Sequence, residues 1–343
     1  MVGFGNILKA ELYKLAKGKS LIKVLIAATI IFIVLTVIFN FLYQLAGDYL
    51  SMGATSSQTV TAEDVEIART NYETITKAVN ELSQPQRMVN VDVYQAKALY
   101  NLYKYMYENN LSFSQVSIFG SVSTLTVSSY VMFMLQTMSM VFAVYAVVSI
   151  IRAIAGERAN GTLKMQLLRP VSRDAMLAGK LLSVWIVTMA LMLFYFLLSC
   201  VVGVIAFKID TMKVIGIVNA EHVFIISAAG NVAIELLYYL SYLTAYIVMA
   251  AFVSNLFTKN EGPSIALGMV MLFIGSTVER LLGYIFVGYV GFGTNLNWMS
   301  ALSTSGPTLN YMNLYSMLGI SIAWFVCMLV SSVFMFRRAE INN

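Results

Sequence analysis

Side chains suited to catalysis or metal binding are scarce in this 343-residue chain, which contains one histidine, His222, and two cysteines, Cys200 and Cys327. A metal site needs His, Cys or carboxylate ligands clustered at ligand spacing, and the sequence has no such cluster. It also lacks the Gly-x-x-x-x-Gly-Lys-Ser/Thr phosphate loop and the Gly-x-Ser-x-Gly nucleophile turn. We therefore expect no catalytic residue in this chain, and no metal or other cofactor bound by it.

Three charged residues fall within or beside apolar segments, where a charge is costly. They are Glu235, Glu279 and Arg280. A charge at the centre of a membrane helix costs about 2.5–3.5 kcal/mol on insertion scales, so such residues commonly line a substrate pathway. The alternative is that all three lie at helix ends, where long charged side chains reach the headgroups. The sequence favours helix ends and keeps the three as candidate pathway residues.

Composition identifies the environment that must position these residues. Hydrophobic residues make up 59% of the chain, charged residues only 11%, and the mean hydropathy is +0.76. Such values are far from those of soluble domains. A bilayer core of about 30 Å needs about 20 apolar residues in a helix, because the backbone must satisfy its own hydrogen bonds. The pattern predicts an all-α integral membrane protein with six transmembrane helices.

The basic residues predict the orientation of these helices. Fourteen Lys and Arg lie on one side of the predicted spans with five acids, whereas eight lie on the other side with twelve acids. Basic residues near spans stay in the cytoplasm, so both termini are predicted to be cytoplasmic in a multi-pass protein of the cell membrane. The basic balance is thus explained by topology, and no nucleic-acid partner is expected.

The apolar segments and the distribution of basic residues divide the chain into thirteen segments. The division is 1–20, an amphipathic helix on the cytoplasmic surface; 21–46, 126–151, 177–207, 230–257, 263–278 and 314–336, the six transmembrane helices; 47–125, an extracellular helical domain; 152–176, a cytoplasmic loop; 208–229, an extracellular loop; 258–262, a cytoplasmic loop; 279–313, an extracellular or re-entrant element; and 337–343, a cytoplasmic tail.

The N-terminal helix is predicted to lie on the inner membrane surface, with its apolar residues on one face and Lys9, Glu11 and Lys17 away from that face. A cleaved signal peptide is the alternative. The length of the apolar run that follows disfavours it.

The insertion at 47–125 is predicted to contain two helices. Thr61 and Asp64 have the spacing of a capping box before a first helix, and a second helix runs from Val91 to Glu108. The second helix carries a face of three tyrosines, Tyr100, Tyr103 and Tyr107. This face either packs on the first helix or on the membrane interface, which the pattern favours, or forms an outer docking surface for an amphiphilic substrate or a partner.

The loop at 152–176 is charged and contains residues that shape the backbone. Thr162 to Leu168 predicts a short helix that Pro170 must end, because proline has no N–H and clashes with the preceding turn. Ser172 is then placed to cap the next helix, with Asp174 in its first turn.

This loop resembles the coupling segment of the type-2 permease family of ATP-binding cassette (ABC) exporters. The resemblance rests on Glu157-x-x-x-Gly161-Thr162-Leu163-Lys164-x-x-Leu167-Leu168-x-Pro170-Val171-Ser172-Arg173, followed by Gly179-Lys180. The layout is also similar, with an amphipathic N-terminal helix and six spans. The insertion at 47–125 is least covered, although members resembling bacitracin and lantibiotic self-protection permeases carry one.

The resemblance implies a transmembrane permease subunit that forms a homodimer, or a heterodimer with a sister permease. Two copies of a cytosolic ABC ATPase subunit would bind it and hold ATP and Mg²⁺, so the chain is not itself an enzyme. The implied ATPase-coupling residues are Glu157, Gly161, Thr162, Leu163, Leu167, Leu168, Arg169, Pro170 and Arg173, with the leucines as apolar anchors and the arginines facing acidic residues of the ATPase. The alternative is a basic loop that only sets topology.

The substrate is predicted from composition alone. Methionine-rich surfaces repack around varied partners, so the 21 methionines indicate an amphiphile such as an antimicrobial peptide, a lipid or a drug. Sodium export is a rival that the scarcity of intramembrane carboxylates disfavours. A membrane scaffold or sensor that acts through its extracellular domain, without an ATPase, is the alternative function.

Overall fold

The structure, a computed structural model, describes residues 4–53, 59–83, 91–113, 115–119, 126–162, 172–209, 213–257, 261–285, 291–307 and 312–338. These residues are mainly helical. The helices are α1 (Phe4–Lys17), α2 (Lys19–Gly53), α3 (Ala62–Asn80), α4 (Asp92–Glu108), α5 (Val127–Ile151), α6 (Arg173–Ala206), α7 (Ala228–Leu256), α8 (Glu261–Phe273), α9 (Gly275–Ile285), α10 (Phe292–Leu296) and α11 (Leu314–Arg338). The strands are β1 (Val116–Ile118), β2 (Lys213–Val218) and β3 (His222–Ser227).

Helix α5 is the centre of a helical bundle. It packs between α6 and α7, and α7 also packs against α11. Large side chains of α5, including Tyr130, Phe142 and Ile150, are completely buried. Helix α2 is mostly exposed and is attached to the bundle by hydroxyl hydrogen bonds of 2.8 Å, one between Thr36 and Tyr130 and one between Thr29 and Tyr195. The bundle therefore presents α2 as an apolar outer helix.

Five helices in the described part of the chain are long and apolar enough to cross a membrane. They coincide with the predicted spans 21–46, 126–151, 177–207, 230–257 and 314–336. The remaining predicted span, 263–278, is divided between α8 and α9, and the 13 residues of α8 extend only about 20 Å. A sixth crossing thus stays a prediction.

A three-stranded sheet at one end of the bundle was not predicted. Strand β2 pairs antiparallel with β3 and parallel with β1, so the predicted loop at 208–229 is a β-hairpin that joins the insertion. Its turn holds Asn219 and Ala220 at φ 53° and 60°. The turn lacks the glycine that usually marks a hairpin, which explains why the sequence did not indicate it.

We call α3, α4 and the sheet the head. Both predicted helices are confirmed, and so is the capping box: Thr61 N–H donates to Asp64 Oδ2 at 2.8 Å, and Asp64 N–H donates to Thr61 Oγ1 at 3.3 Å. One face of α4 is buried against the sheet, where Leu102 and Met106 form a small core with Val116 and Ile215. The head is therefore a packed unit built from the insertion and the hairpin together.

Candidate functional site

We call the end of the bundle opposite the head the basic end. A buried lysine there links three elements of the chain. Lys180 of α6 is completely buried. Its Nζ donates to Glu11 Oε1 of α1 at 2.9 Å and to Glu157 Oε2, just beyond α5, at 2.5 Å. Lys14 of α1 also forms an ion pair with Glu157 and lies 3.9 Å from Glu11. We call these four residues the ionic cluster.

The ionic cluster contains two cations and two anions, so its formal charge is balanced. Burial lowers the pKa of Lys14. The Glu11 carboxylate raises this pKa and the Lys180 ammonium lowers it further, so that the net shift is downward. Removing one member of a buried ion pair leaves its partner charged and without compensation, which is strongly destabilising. The cluster therefore holds α1, the end of α5 and the start of α6 in one arrangement.

The burial of Glu11 differs from what the sequence predicted. The sequence placed Glu11 away from the apolar face of α1, whereas the structure buries it. Ile7, Glu11 and Leu15 are spaced by four residues and so share a face, which packs on α6. Glu11 is thus tolerated on a buried face because Lys180 lies opposite it.

Gly179 lets α1 approach α6 beside the ionic cluster. A Cβ atom at Gly179 would lie 2.8 Å from Ile7 Cγ2. We predict that Gly179→Leu separates the two helices and costs about 1–3 kcal/mol through overpacking, measured as a lower thermal midpoint of the purified protein. Ile7→Ala in the same chain should recover much of the loss. Gly319→Leu is the matched control, because nothing lies within 4 Å of that position; equal effects at both glycines would contradict this packing.

The start of the motif follows the ionic cluster directly. After α5 the chain makes a π-helical turn at Arg152–Gly156 and a last helical turn at Glu157–Ala159. Gly161 then adopts φ +72°, and Thr162 Oγ1 donates to the carbonyl of Glu157 at 3.2 Å. Leu163, Leu167, Leu168, Arg169 and Pro170 lie outside the described residues, so their assignment as coupling residues stays a prediction.

The left-handed backbone at Gly161 yields a second prediction. An L-residue pays roughly 1–2 kcal/mol in this conformation, and Asn tolerates it best. Since a Cβ there would have nothing within 4 Å, the cost comes from the backbone alone. Gly161→Ala should lower the thermal midpoint more than Gly161→Asn does. If both variants match the wild type, the conformation at Gly161 is not required.

Both ends of the loop are attached to other helices. Arg158 Nη2 donates to Asn255 Oδ1 of α7 at 3.0 Å, and its guanidinium lies over the Phe336 ring of α11. At the other end, the predicted cap is confirmed, since Ser172 accepts from Ala175 N–H at 3.3 Å. From the sequence alone, Arg158 is only one of the basic residues of this loop.

Arg173 contacts the chain's own α11. Its Nη1 donates to the carbonyl of Arg337 at 2.5 Å, and Arg337 binds Asp174 through two bonds of 2.7 and 2.5 Å. All three residues are exposed. Arg173 is therefore accessible at the basic end and also helps to join α6 to α11.

The candidate pathway residues lie away from the ionic cluster. Glu235 is buried in α7, one turn after the buried Asn231, near the head. Glu279 of α9 is buried with its carboxylate against Gly291, where a Cβ would lie 2.3 Å from Oε2. Arg280 follows it in α9. Glu235 and Glu279 are thus enclosed by protein.

The tyrosine face of α4 is divided between packing and exposure. Tyr100 stacks on Tyr72 of α3 at 6.2 Å, Tyr103 contacts Phe113, and Tyr107 is exposed. A groove of about 430 Å³ between α3 and α4 includes Tyr103 and Asp64 in its walls. Packing on the first helix accounts for Tyr100, while the docking role stays a prediction.

The fold and this site define a mainly helical protein compatible with a multi-pass membrane protein. Residues 91–342 match a family described as a protein of unknown function, DUF2705, and the chain belongs to that family. No protein of curated function matches the chain. Among the described residues, no group of three or more His, Cys, Asp or Glu side chains is placed to hold a metal ion.

Proposed function

We propose that this chain is the transmembrane permease subunit of an ABC exporter. A separate cytosolic ATPase would supply the energy, with ATP and Mg²⁺ bound on that partner, and the exported substrate would be an amphiphile such as an antimicrobial peptide, a lipid or a drug. The observation that carries the proposal is the position of Glu157. It is the first residue of the motif resembling the coupling segment, and it belongs to the ionic cluster.

The contacts around the motif could transmit a conformational change of a bound ATPase to the helices of the bundle. Glu157 is bound to α1 and α6, Arg158 to α7 and α11, and Arg173 to α11. A displacement of the loop would therefore be delivered to four helices at once. Packed and hydrogen-bonded contacts between elements can carry coupling of this kind, and the contacts around the motif are of that type.

A membrane dimer accounts for the exposed apolar helices. In this proposal the basic end is cytoplasmic, both termini are cytoplasmic, and the protein lies in the cell membrane with the head outside. Helices α2 and α11 are mostly exposed along their apolar lengths. Their surfaces would contact membrane lipid and a second copy of this chain or a sister permease.

A second candidate is a membrane scaffold or sensor that works without an ATPase. The packed core of the head, formed around Leu102, Met106 and Ile215, supports it, because a sensor domain must keep its own shape. In that case the head would carry the activity, and the motif at 157–173 would be a basic loop that sets topology.

The two candidates differ in ATP hydrolysis. A preparation purified through a tag on this chain, gently solubilised from its native membrane, should hydrolyse ATP because the ATPase copurifies. Hydrolysis should follow the tagged chain through size-exclusion chromatography and disappear after a salt wash that strips the partner. A preparation that shows neither hydrolysis nor a second subunit would favour the scaffold or sensor.

A further inference from the structure

A cleft of about 810 Å³ opens at the basic end between α2 and α5. Its walls change in polarity along the helix axes. Lys23 and Ser20 lie at the start of α2, and Arg152 lies just after α5, whereas the deeper wall is formed by Val24, Ala27, Val141, Val144 and Val148. The cleft thus has a charged mouth and an apolar interior.

The charges at the mouth are not all used by the ionic cluster. Among the described residues, no carboxylate lies within 4.0 Å of the charged atoms of Lys23 or Arg152, whereas Lys14 is paired with Glu157. Glu261 of α8 lies across the mouth, close enough to Gly156 that a Cβ there would be 2.4 Å from Oε2. Glu11, Lys14 and Glu157 of the ionic cluster also line the cleft. Outside that cluster, the mouth offers two cations, Lys23 and Arg152, and one carboxylate, Glu261.

The dimensions of the cleft match one leaflet of a bilayer. The lining runs along α5 from Arg152 back to Val141, a distance of about 16 Å at about 1.5 Å per residue. This is about half of a hydrocarbon core of about 30 Å. Ser149 lines the cleft next to the charged level, whereas the Tyr145 hydroxyl is buried in the protein beside the apolar wall.

We propose that this cleft binds one glycerophospholipid with an ammonium-bearing head group. Its phosphate would lie at Lys23 and Arg152, its ammonium at Glu261, its ester oxygens near Ser149, and one acyl chain along the valine wall. Charged groups select the head group because charge-assisted hydrogen bonds to phosphate are stronger than neutral ones. The mostly exposed α2 gives the lipid a direct path from the membrane.

The π-helical turn at Arg152–Gly156 supports a binding role. It places Arg152, Ala153 and Gly156 in the cleft wall together, and such turns occur often at functional sites. Gly156 also leaves room for the Glu261 carboxylate, which any larger residue would displace. The bound lipid would contact α1, α2, α5 and α8 at the same level as the ionic cluster, whether or not an ATPase is present.

Fluorescence anisotropy of the purified full-length chain, with whatever copurifies, tests this binding. The probe is phosphatidylethanolamine labelled on its acyl chain, displaced by unlabelled dioleoyl phosphatidylethanolamine, phosphatidylglycerol or diacylglycerol. We expect phosphatidylethanolamine to displace it best and diacylglycerol at least tenfold less well, while inorganic phosphate has no effect. Equal displacement by diacylglycerol, or displacement by phosphatidylglycerol at the same or lower concentration, would overturn the proposal.

Two variants and one control separate head-group binding from general destabilisation. Lys23→Gln with Arg152→Gln should weaken probe binding at least tenfold. Ala27→Trp should do the same by narrowing the apolar part of the cleft, without any change of charge. Lys9→Gln with Arg338→Gln removes equal charge at the same end from exposed residues outside the cleft, and should bind within twofold of the wild type. If the control weakens binding as much as the cleft variants, the cleft is not the site.

Discussion

Replacing Lys180 with methionine should destabilise the folded protein by about 3–5 kcal/mol, the usual cost of breaking a buried ion pair from one side. Methionine fills nearly the same volume, so the effect comes from charge. Glu11 and Glu157 would be left facing each other, with only Lys14 beside them. The thermal midpoint of the purified protein, followed by fluorescence-detected size exclusion, should fall by several degrees.

Removing both carboxylates together with Lys180 is the control for this variant. In the triple variant Lys180→Met, Glu11→Gln, Glu157→Gln, no carboxylate of the ionic cluster remains. Lys14 keeps its charge, but its side chain is 53% exposed and can be solvated, so the midpoint should recover part of the loss. Recovery is expected because apolar or neutral replacements of entire buried ion pairs are often tolerated. A triple variant less stable than Lys180→Met would mean that the carboxylates have other partners, and would refute the geometry described above.

Leu167→Asp should abolish association with the proposed ATPase. In that proposal Leu167 is an apolar anchor in a groove of the ATPase, and a carboxylate buried at such a contact without a partner is costly. Truncation of a central interface anchor typically costs at least 2 kcal/mol, about thirtyfold in affinity, and a charge costs more. Copurification of the ATPase with the tagged chain should fall to background.

Leu167→Met is the matched control, because it keeps an apolar side chain of similar size and should retain the ATPase. Arg173→Glu is less clean, since Arg173 also binds the Arg337 carbonyl of its own chain. Thermal midpoints must therefore accompany both variants. If Leu167→Asp folds normally and still retains the ATPase, the loop is not the coupling segment.

Local features of this fold could be predicted because they depend on neighbouring residues alone. The capping box of Thr61 with Asp64 and the cap at Ser172 need only residues three positions apart. The long apolar helices follow from composition over about 20 residues. The two helices of the insertion follow from the same local rules.

Features that join distant segments could not be predicted in this way. Glu11, Lys14, Glu157 and Lys180 come from three elements, and only their assembly makes a cluster. A signal was present: Lys180 follows Gly179 within an apolar run, and Glu11 shares a face with Ile7 and Leu15. The sheet was missed because β1 and β2 are separated by two long helices and the hairpin turn has no glycine.

The proposal that this chain couples a separate ATPase to export is tested most directly by native mass spectrometry of the complex purified through the tagged chain. We predict a mass equal to two permease chains and two ATPase subunits, with the ATPase lost when Leu167 is changed to Asp. A mass that accounts for this chain alone, as monomer or dimer, would contradict the proposal. It would favour the scaffold or sensor, in which the head carries the activity.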